Sequence, residues 1–187
     1  MGRSMKIGST EISGVAVVDA NPVTDHRGSF TRLFCEQELQ SLVGARHIVQ
    51  INRSRTVNKG AVRGFHYQQA PHAEMKMVLC LKGRVWDVAV DLRAESKTLL
   101  RWHGEELSEI NSRMMVIPEG CAHGFQVLEP DSEILYLHTA FYNPSSEGGV
   151  QPTDPRLGIP WPLRIHDLSV RDSNHPLLPD DFAGLRV

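Results

Sequence analysis

The sequence predicts an all-β fold, a sandwich or barrel of short strands, and three observations carry that expectation. Runs rich in valine, isoleucine and aromatic residues recur along most of the chain. Turn signals separate them, at Lys82-Gly83, Pro118-Glu119-Gly120 and Glu129-Pro130-Asp131. Within one run, Trp86, Val88, Val90 and Leu92 alternate with Val85, Asp87, Ala89 and Asp91, the period-2 signature of a strand. The two acids therefore share one face, opposite the bulky apolar residues.

In chain order, Val15-Ala16-Val17-Val18 is the first expected strand. Thr24 to Gly28 reads as a turn into a strand over Ser29 to Phe34. Glu36 to Leu42 is the expected short helix, with Gly44 ending it. His47 to Ser54 is the next strand. Met77 to Leu81 and Arg84 to Leu92 then read as a hairpin around Lys82-Gly83, since glycine suits the tight turn of a strand reversal. Arg113 to Ile117 is a further strand, and Gly124 to Leu128 with Glu133 to Thr139 reads as another pair. From about residue 144 the composition shifts to proline, glycine and polar residues, so this segment is expected to wrap the sheets as an irregular extension of a single domain spanning 1–187.

Composition narrows the function classes. The 187 residues are 41% hydrophobic and 22% charged, typical of a soluble globular domain, with length for one sizeable core. A net charge of −2 gives no electrostatic reason to expect nucleic acid or an anionic membrane as partner. No apolar run approaches the roughly 20 residues of a spanning helix, and the first residues lack a signal-peptide pattern. Cys35, Cys80 and Cys121 are odd in number and far apart, which suits a reducing compartment. A cytoplasmic location is expected.

The chemistry concentrates at Arg63-Gly64-Phe65-His66-Tyr67-Gln68, followed by Lys76. Proton-transfer catalysis needs a base that titrates near neutrality and fixed positive charge where negative charge develops. His66 between Arg63 and Lys76 offers that combination, where a lone histidine would read as structural.

These residues and several other stretches resemble the dTDP-4-dehydrorhamnose 3,5-epimerase family. The stretches are Asp25-His26-Arg27-Gly28, Gly83 to Asp91, Ile117 to Phe125, Leu135-Tyr136, Tyr142 to Gly148 and Asp154 to Pro162. They run in family order over nearly the whole chain. The resemblance implies a cupin-type double-stranded β-helix, or jelly-roll barrel, with short peripheral helices. It implies a homodimer whose partner subunit completes each site, and an NDP-4-keto-6-deoxy-sugar substrate epimerised next to the keto carbon. Residue by residue it implies His66 as the base, Asp172 as its orienting carboxylate, Lys76 at the enolate oxygen and Tyr136 as the acid. Asp87, His123 and Tyr142 match further site positions, and Arg63, Gln50 and Asn52 match substrate and phosphate contacts. Arg27 and Phe30 match residues given by the partner subunit. No cofactor and no metal are implied.

The sequence departs from the family pattern in places. Glu74-Met75 stands before Lys76 where glutamine-glycine is usual, Leu137 follows Tyr136 where lysine is common, and Arg32 and Phe141 replace a glutamate and a tyrosine. The nucleotide base, the sugar, and inversion at C3 alone or at C3 and C5 stay open. Two other functions fit the same fold class. One is a catalytically inactive NDP-sugar-binding cupin, which the presence of His66, Lys76 and Tyr136 disfavours. The other is a metal-dependent cupin enzyme, disfavoured because Gln68 stands where a histidine-x-histidine ligand pair would place its second histidine.

Overall fold

The computed structural model describes residues 4–187. The chain begins with β1 (Lys6–Ser9) and β2 (Ala16–Asp19), continues through a small hairpin of β3 (Val23–Asp25) and β4 (Gly28–Phe30), and forms the short helix α1 (Gln40–Val43). The strands β5 (Gln50–Thr56), β6 (Ala61–Gln68), β7 (Lys76–Lys82), β8 (Arg84–Asp91) and β9 (Trp102–Ser108) follow. After them come β10 (Arg113–Ile117), β11 (Cys121–Val127) and β12 (Ser132–His138), then the tail elements β13 (Glu147–Gly149), β14 (Asp167–Leu168) and α2 (Val170–Ser173). Among the described residues two six-stranded sheets form. One runs β1-β2-β10-β7-β12-β5; the other runs β13-β6-β11-β8-β9, with β14 added alongside β6. This is the expected all-β, cupin-type arrangement.

The central strands are covered on both faces, which explains unbroken apolar runs such as Met114-Met115-Val116-Ile117. Met115 and Ile117 point between the sheets, where they join Val78, Val85, Leu107, Phe125 and Ile134. Met114 and Val116 point outward and pack with Leu39 and Val43 around α1. On the other sheet Val88, Val90 and Leu92 face outward under the tail, which contributes Val150, Leu157, Leu178 and Trp161. Trp161 stacks on the fully buried Phe65 with ring centroids 5.8 Å apart, a contact that contributes about 1 kcal/mol beyond the area it buries. The tail is thus the lid of the second sheet's outer face.

Two expectations need correction. Lys82-Gly83-Arg84 is no hairpin: β7 pairs with β10 and β12, while β8 pairs with β9 and β11 in the opposite sheet. Gly83 (φ 75°) turns the chain from one sheet to the other, and a Cβ there would meet Ser132 Oγ at 2.5 Å. Likewise β11 and β12 lie in different sheets. The partner of β8 is β9, a strand the sequence reading passed over. A turn signal marks a reversal of direction without saying which sheet receives the returning strand.

The remaining corrections concern boundaries. The expected strand over Ser29 to Phe34 ends at Phe30, and β1 was not anticipated. The expected helix at Glu36 starts only at Gln40. Glu38 turns away from it to accept the Met5 N–H at 2.6 Å and to pair with Arg32, and Leu39 at the N-cap supplies no side-chain acceptor. Gly44 ends α1 as expected, in a positive-φ conformation with its N–H on Gln40 O.

Candidate active site

Between the sheets, on the side where β5 and β6 run, lies a cavity of about 310 Å³. Strand alternation decides what faces it. On β12, Ile134 joins the apolar interior, while Tyr136 and His138 line the cavity. On β5 the lining positions include Asn52 and Ser54; on β7 it is Lys76; on β6 Arg63, His66 and Gln68; on β11 His123 and Phe125. The tail contributes Tyr142, Glu147 and Arg171.

A close approach of β6 and β11 aims His66. Gly64 and Gly124 lie so near that a Cβ on Gly64 would meet Gly124 Cα at 2.5 Å, and the register shifts between His123 and Phe125. Only glycines allow this contact, and the irregularity re-aims the side chains on β6. His66 Nε2 lies 2.7 Å from Asp172 Oδ1. Asp172 is placed by its own turn: Ser169 Oγ accepts the Asp172 N–H at 3.0 Å, capping α2, and Asp172 Oδ2 accepts the Gly64 N–H at 3.2 Å.

Burial opposes ionisation of Asp172, but the His66 hydrogen bond and charge, with Gly64 and Ser169, hold its pKa down to about 2. An ionised carboxylate only accepts, so Nε2 carries the imidazole proton and Nδ1 is the basic nitrogen. Arg171 Nη2 also approaches this Nε2, at 2.9 Å; a protonated Nε2 cannot accept from it, so the guanidinium is held by the carboxylates of Glu147 at 3.2 Å and Asp172 at 3.5 Å.

Tyr136 projects from the opposite sheet, its hydroxyl 3.1 Å from Ser54 Oγ. Burial pushes its phenol well above the usual value, the charge of Asp87 adds to this, and Ser54 and Arg63 work the other way. The cation acting on Tyr136 is therefore Arg63. Lys76 is buried, and its Nζ lies 3.2 Å from Glu74 Oε1. His123 Nε2 meets Asp87 Oδ1 at 2.7 Å, with Asp87 fully buried behind it. Arg63 Nε donates to Thr56 Oγ1 at 2.9 Å, which anchors its guanidinium at the cavity wall.

The sequence-expected residues fall into three groups. His66, Lys76, Tyr136, His123, Arg63, Asn52 and Tyr142 line one cavity. Asp172, Asp87 and Gln50 stand behind it, with Gln50 Oε1 accepting the Tyr142 N–H at 3.1 Å. Arg27 and Phe30 do not join them: they sit on the exposed β3–β4 hairpin, Arg27 paired with Asp25 at 2.6 Å and Phe30 67% exposed. Asp91, left open from sequence, is structural. It accepts from Arg93, Ser96 and Thr98 in the loop after β8, and these bonds hold its pKa to about 2 against burial.

Sequence reasoning missed Glu74, His138, Ser54, Glu147 and Arg171. Alternation along β12 and β5 could have given His138 and Ser54. Arg171 and Glu147 lie in the tail, where no periodicity exists to read. His66, Asp172 and His175 are close enough to hold a metal ion, their ligand atoms within 4.8 Å of one another. The Arg171 guanidinium on His66 Nε2 already brings positive charge to that point, which disfavours a second cation there.

The sequence model of dTDP-4-dehydrorhamnose 3,5-epimerase matches residues 9–180. A dTDP-4-dehydrorhamnose 3,5-epimerase of Salmonella typhimurium is 41% identical over 171 residues, covering 90% of this chain and 93% of its own. The crystal structure of a dTDP-6-deoxy-D-glucose-3,5-epimerase of Legionella pneumophila, in complex with dTDP-4-keto-L-rhamnose, superposes with a TM-score of 0.90 at 38% identity, covering 98% of each chain. A 3'-monoepimerase of Streptomyces bikiniensis in complex with dTDP-quinovose superposes with a TM-score of 0.83 at 32% identity, covering 89% of this chain and 85% of its own.

Proposed function

The chain belongs to the dTDP-4-dehydrorhamnose 3,5-epimerase family, and from that premise we propose that it inverts C3 and C5 of a dTDP-linked 4-keto-6-deoxy-sugar through an enolate. It is an isomerase of nucleotide-linked sugars. The observation that carries the mechanistic reading is the opposition of His66–Asp172 on one sheet to Tyr136 on the other, across a cavity with Lys76 in its wall.

In this reading His66 Nδ1 removes the proton from the carbon next to the ketone. The electron pair of that C–H bond forms the C=C bond, and the carbonyl pair moves to oxygen, giving an enolate beside the Lys76 ammonium. Asp172 stabilises the imidazolium. Tyr136 then donates its proton to the opposite face of the carbon, inverting it, and the enolate collapses to the ketone. The phenol holds its proton at neutral pH; burial works against its donation, and the Ser54 hydrogen bond and the Arg63 charge work for it. Solvent exchange restores both groups, and a second round acts on the other carbon.

Arg63, anchored by Thr56, is the proposed cation for the diphosphate, with Asn52 in the same cavity wall and Gln50 behind it as further proposed substrate contacts. The exposed hairpin bearing Arg27 and Phe30 is proposed to reach the nucleotide of a second copy in a homodimer. Residues 1–187 are read as one catalytic domain, with the segment from about 144 as its cover.

The test is incubation of dTDP-4-keto-6-deoxyglucose with the protein in deuterated water, followed by NMR. Deuterium at C3 and C5 with inversion at both supports the reading; wash-in at C3 alone reduces it to a 3-epimerase. No exchange on any NDP-4-keto-sugar overturns it in favour of a binding protein. Exhaustive chelation should leave turnover intact, and loss of activity restored by one metal would favour the metal-dependent alternative.

A further inference from the structure

The oxyanion side of the cavity holds a second imidazole–carboxylate couple. Glu74 Oε1 lies 3.2 Å from Lys76 Nζ, and Glu74 Oε2 lies 2.7 Å from His138 Nδ1. The three side chains are between 8% and 10% exposed. Lys76 and His138 face each other directly in the β7–β12 register. His138 stacks on Tyr136, ring centroids 6.0 Å apart at 22°, and its Nε2 lies 3.4 Å from Asn52 Nδ2.

We propose that Glu74 and His138 are positioning residues for Lys76: one carboxylate oxygen holds the ammonium in the cavity wall, and the other is fixed by the imidazole. The proposal rests on the reading of Lys76 as the group that meets the enolate oxygen. Lys76 has a long stem, and an ammonium free to swing would spend little time where oxygen charge develops. Glu74 removes that freedom only if its own side chain is fixed, and His138 fixes it. Burial of Glu74 opposes its ionisation, but the His138 hydrogen bond and the charges of Lys76 and His138 hold it below the usual carboxylate range. Glu74 therefore has two acceptor oxygens, and both are used.

That acceptor count makes the proposal testable. Glutamine has one acceptor and one donor group, so Glu74→Gln turns an NH₂ towards either the Lys76 ammonium or the His138 Nδ1–H. Removing His138 as well frees the single amide oxygen for Lys76. The experiment is a cycle of Glu74→Gln, His138→Ala and the double variant, read as initial deuterium wash-in on dTDP-4-keto-6-deoxyglucose with kcat and KM separated. Binding of dTDP alone serves as the check on folding and nucleotide affinity. Each single variant should lose about tenfold or more in kcat with dTDP affinity within about twofold, and the double variant should be faster than Glu74→Gln alone. Glu74→Asp, which keeps two acceptors, should recover part of the rate.

Wild-type kcat in both single variants, or losses that simply multiply in the double variant, overturns the proposal. If the variants do not fold, ¹⁵N-histidine NMR of the wild type decides: His138 Nδ1 must carry a proton, and an unprotonated Nδ1 overturns it. Failure of the underlying reading looks different, because Lys76→Met would then leave wash-in unchanged.

Discussion

The space between the two sheets has two sides built from the same strands. On the side of β9 and β10 it is filled by Leu107, Met115, Ile117, Val85 and their neighbours, with β9 lying against β10 and β7. On the side of β5 and β6 it is a cavity lined by imidazoles, an ammonium and a phenol. Single strands cross from one regime to the other: β7 gives Val78 and Cys80 to the packed side and Lys76 to the cavity, and β12 gives Ile134 to one and Tyr136 and His138 to the other. The packed side holds the sheets at a fixed separation. The open side uses that separation to hold groups that would lose energy if left unpaired, and each of its buried acids is paired. Asp172 meets His66, Asp87 meets His123, and Glu74 meets Lys76 and His138.

This division of labour should show in substitutions. The largest effect is expected at His66, where His66→Asn should lower deuterium wash-in by a factor on the order of 10² to 10⁴ while the protein stays folded. Wild-type exchange in that variant would end the assignment. On the packed side the outcome should reverse: Leu107→Ala should cost about 2–5 kcal/mol of stability in denaturant melts, with wash-in per folded molecule little changed. A large loss of kcat there would mean that the two sides are coupled.

Tyr136→Phe tests the cavity from its other wall. Wash-in should persist, because His66 and Lys76 remain, while inversion per deuterium incorporated drops. If the variant inverts as efficiently as wild type, the acid lies elsewhere and Tyr142, which also lines the cavity, is the next candidate.

The smallest effect concerns acid stability. Asp172 has a depressed pKa, so the stability it contributes is complete above its unfolded value near 3.8 and is lost as pH falls towards about 2. The full contribution is about 2 kcal/mol. The stability difference between wild type and Asp172→Asn, followed by chemical denaturation, should therefore shrink between about pH 4 and pH 2. A difference independent of pH would show that packing, not charge, makes Asp172 matter.

The two sides were not equally readable from sequence. The alternation within Arg84 to Leu92 gave the shared face of Asp87 and Asp91, and the structure adds that the bulky face lies under the tail. His66 and Lys76 were named for their chemistry and Tyr136 and Asp172 through resemblance to a family, and one cavity or its wall collects all four. Glu74 was noted only as a departure from the family pattern and His138 was not named, because 64 residues separate the partners and only strand pairing brings them together.

By itself the sequence determined the all-β class and the positions of most strands, and it pointed to His66 and Lys76 as groups suited to proton transfer. These depend on period-2 alternation, turn residues and side-chain chemistry, all of which are local. Only the tertiary structure decided that Gly83 leads between sheets rather than within one, that β9 pairs with β8, and that Glu74 lies between Lys76 and His138. Those outcomes depend on which strand edges are free to pair and on which buried charges need a partner once the sheets close, and both are set by contacts far apart in the chain.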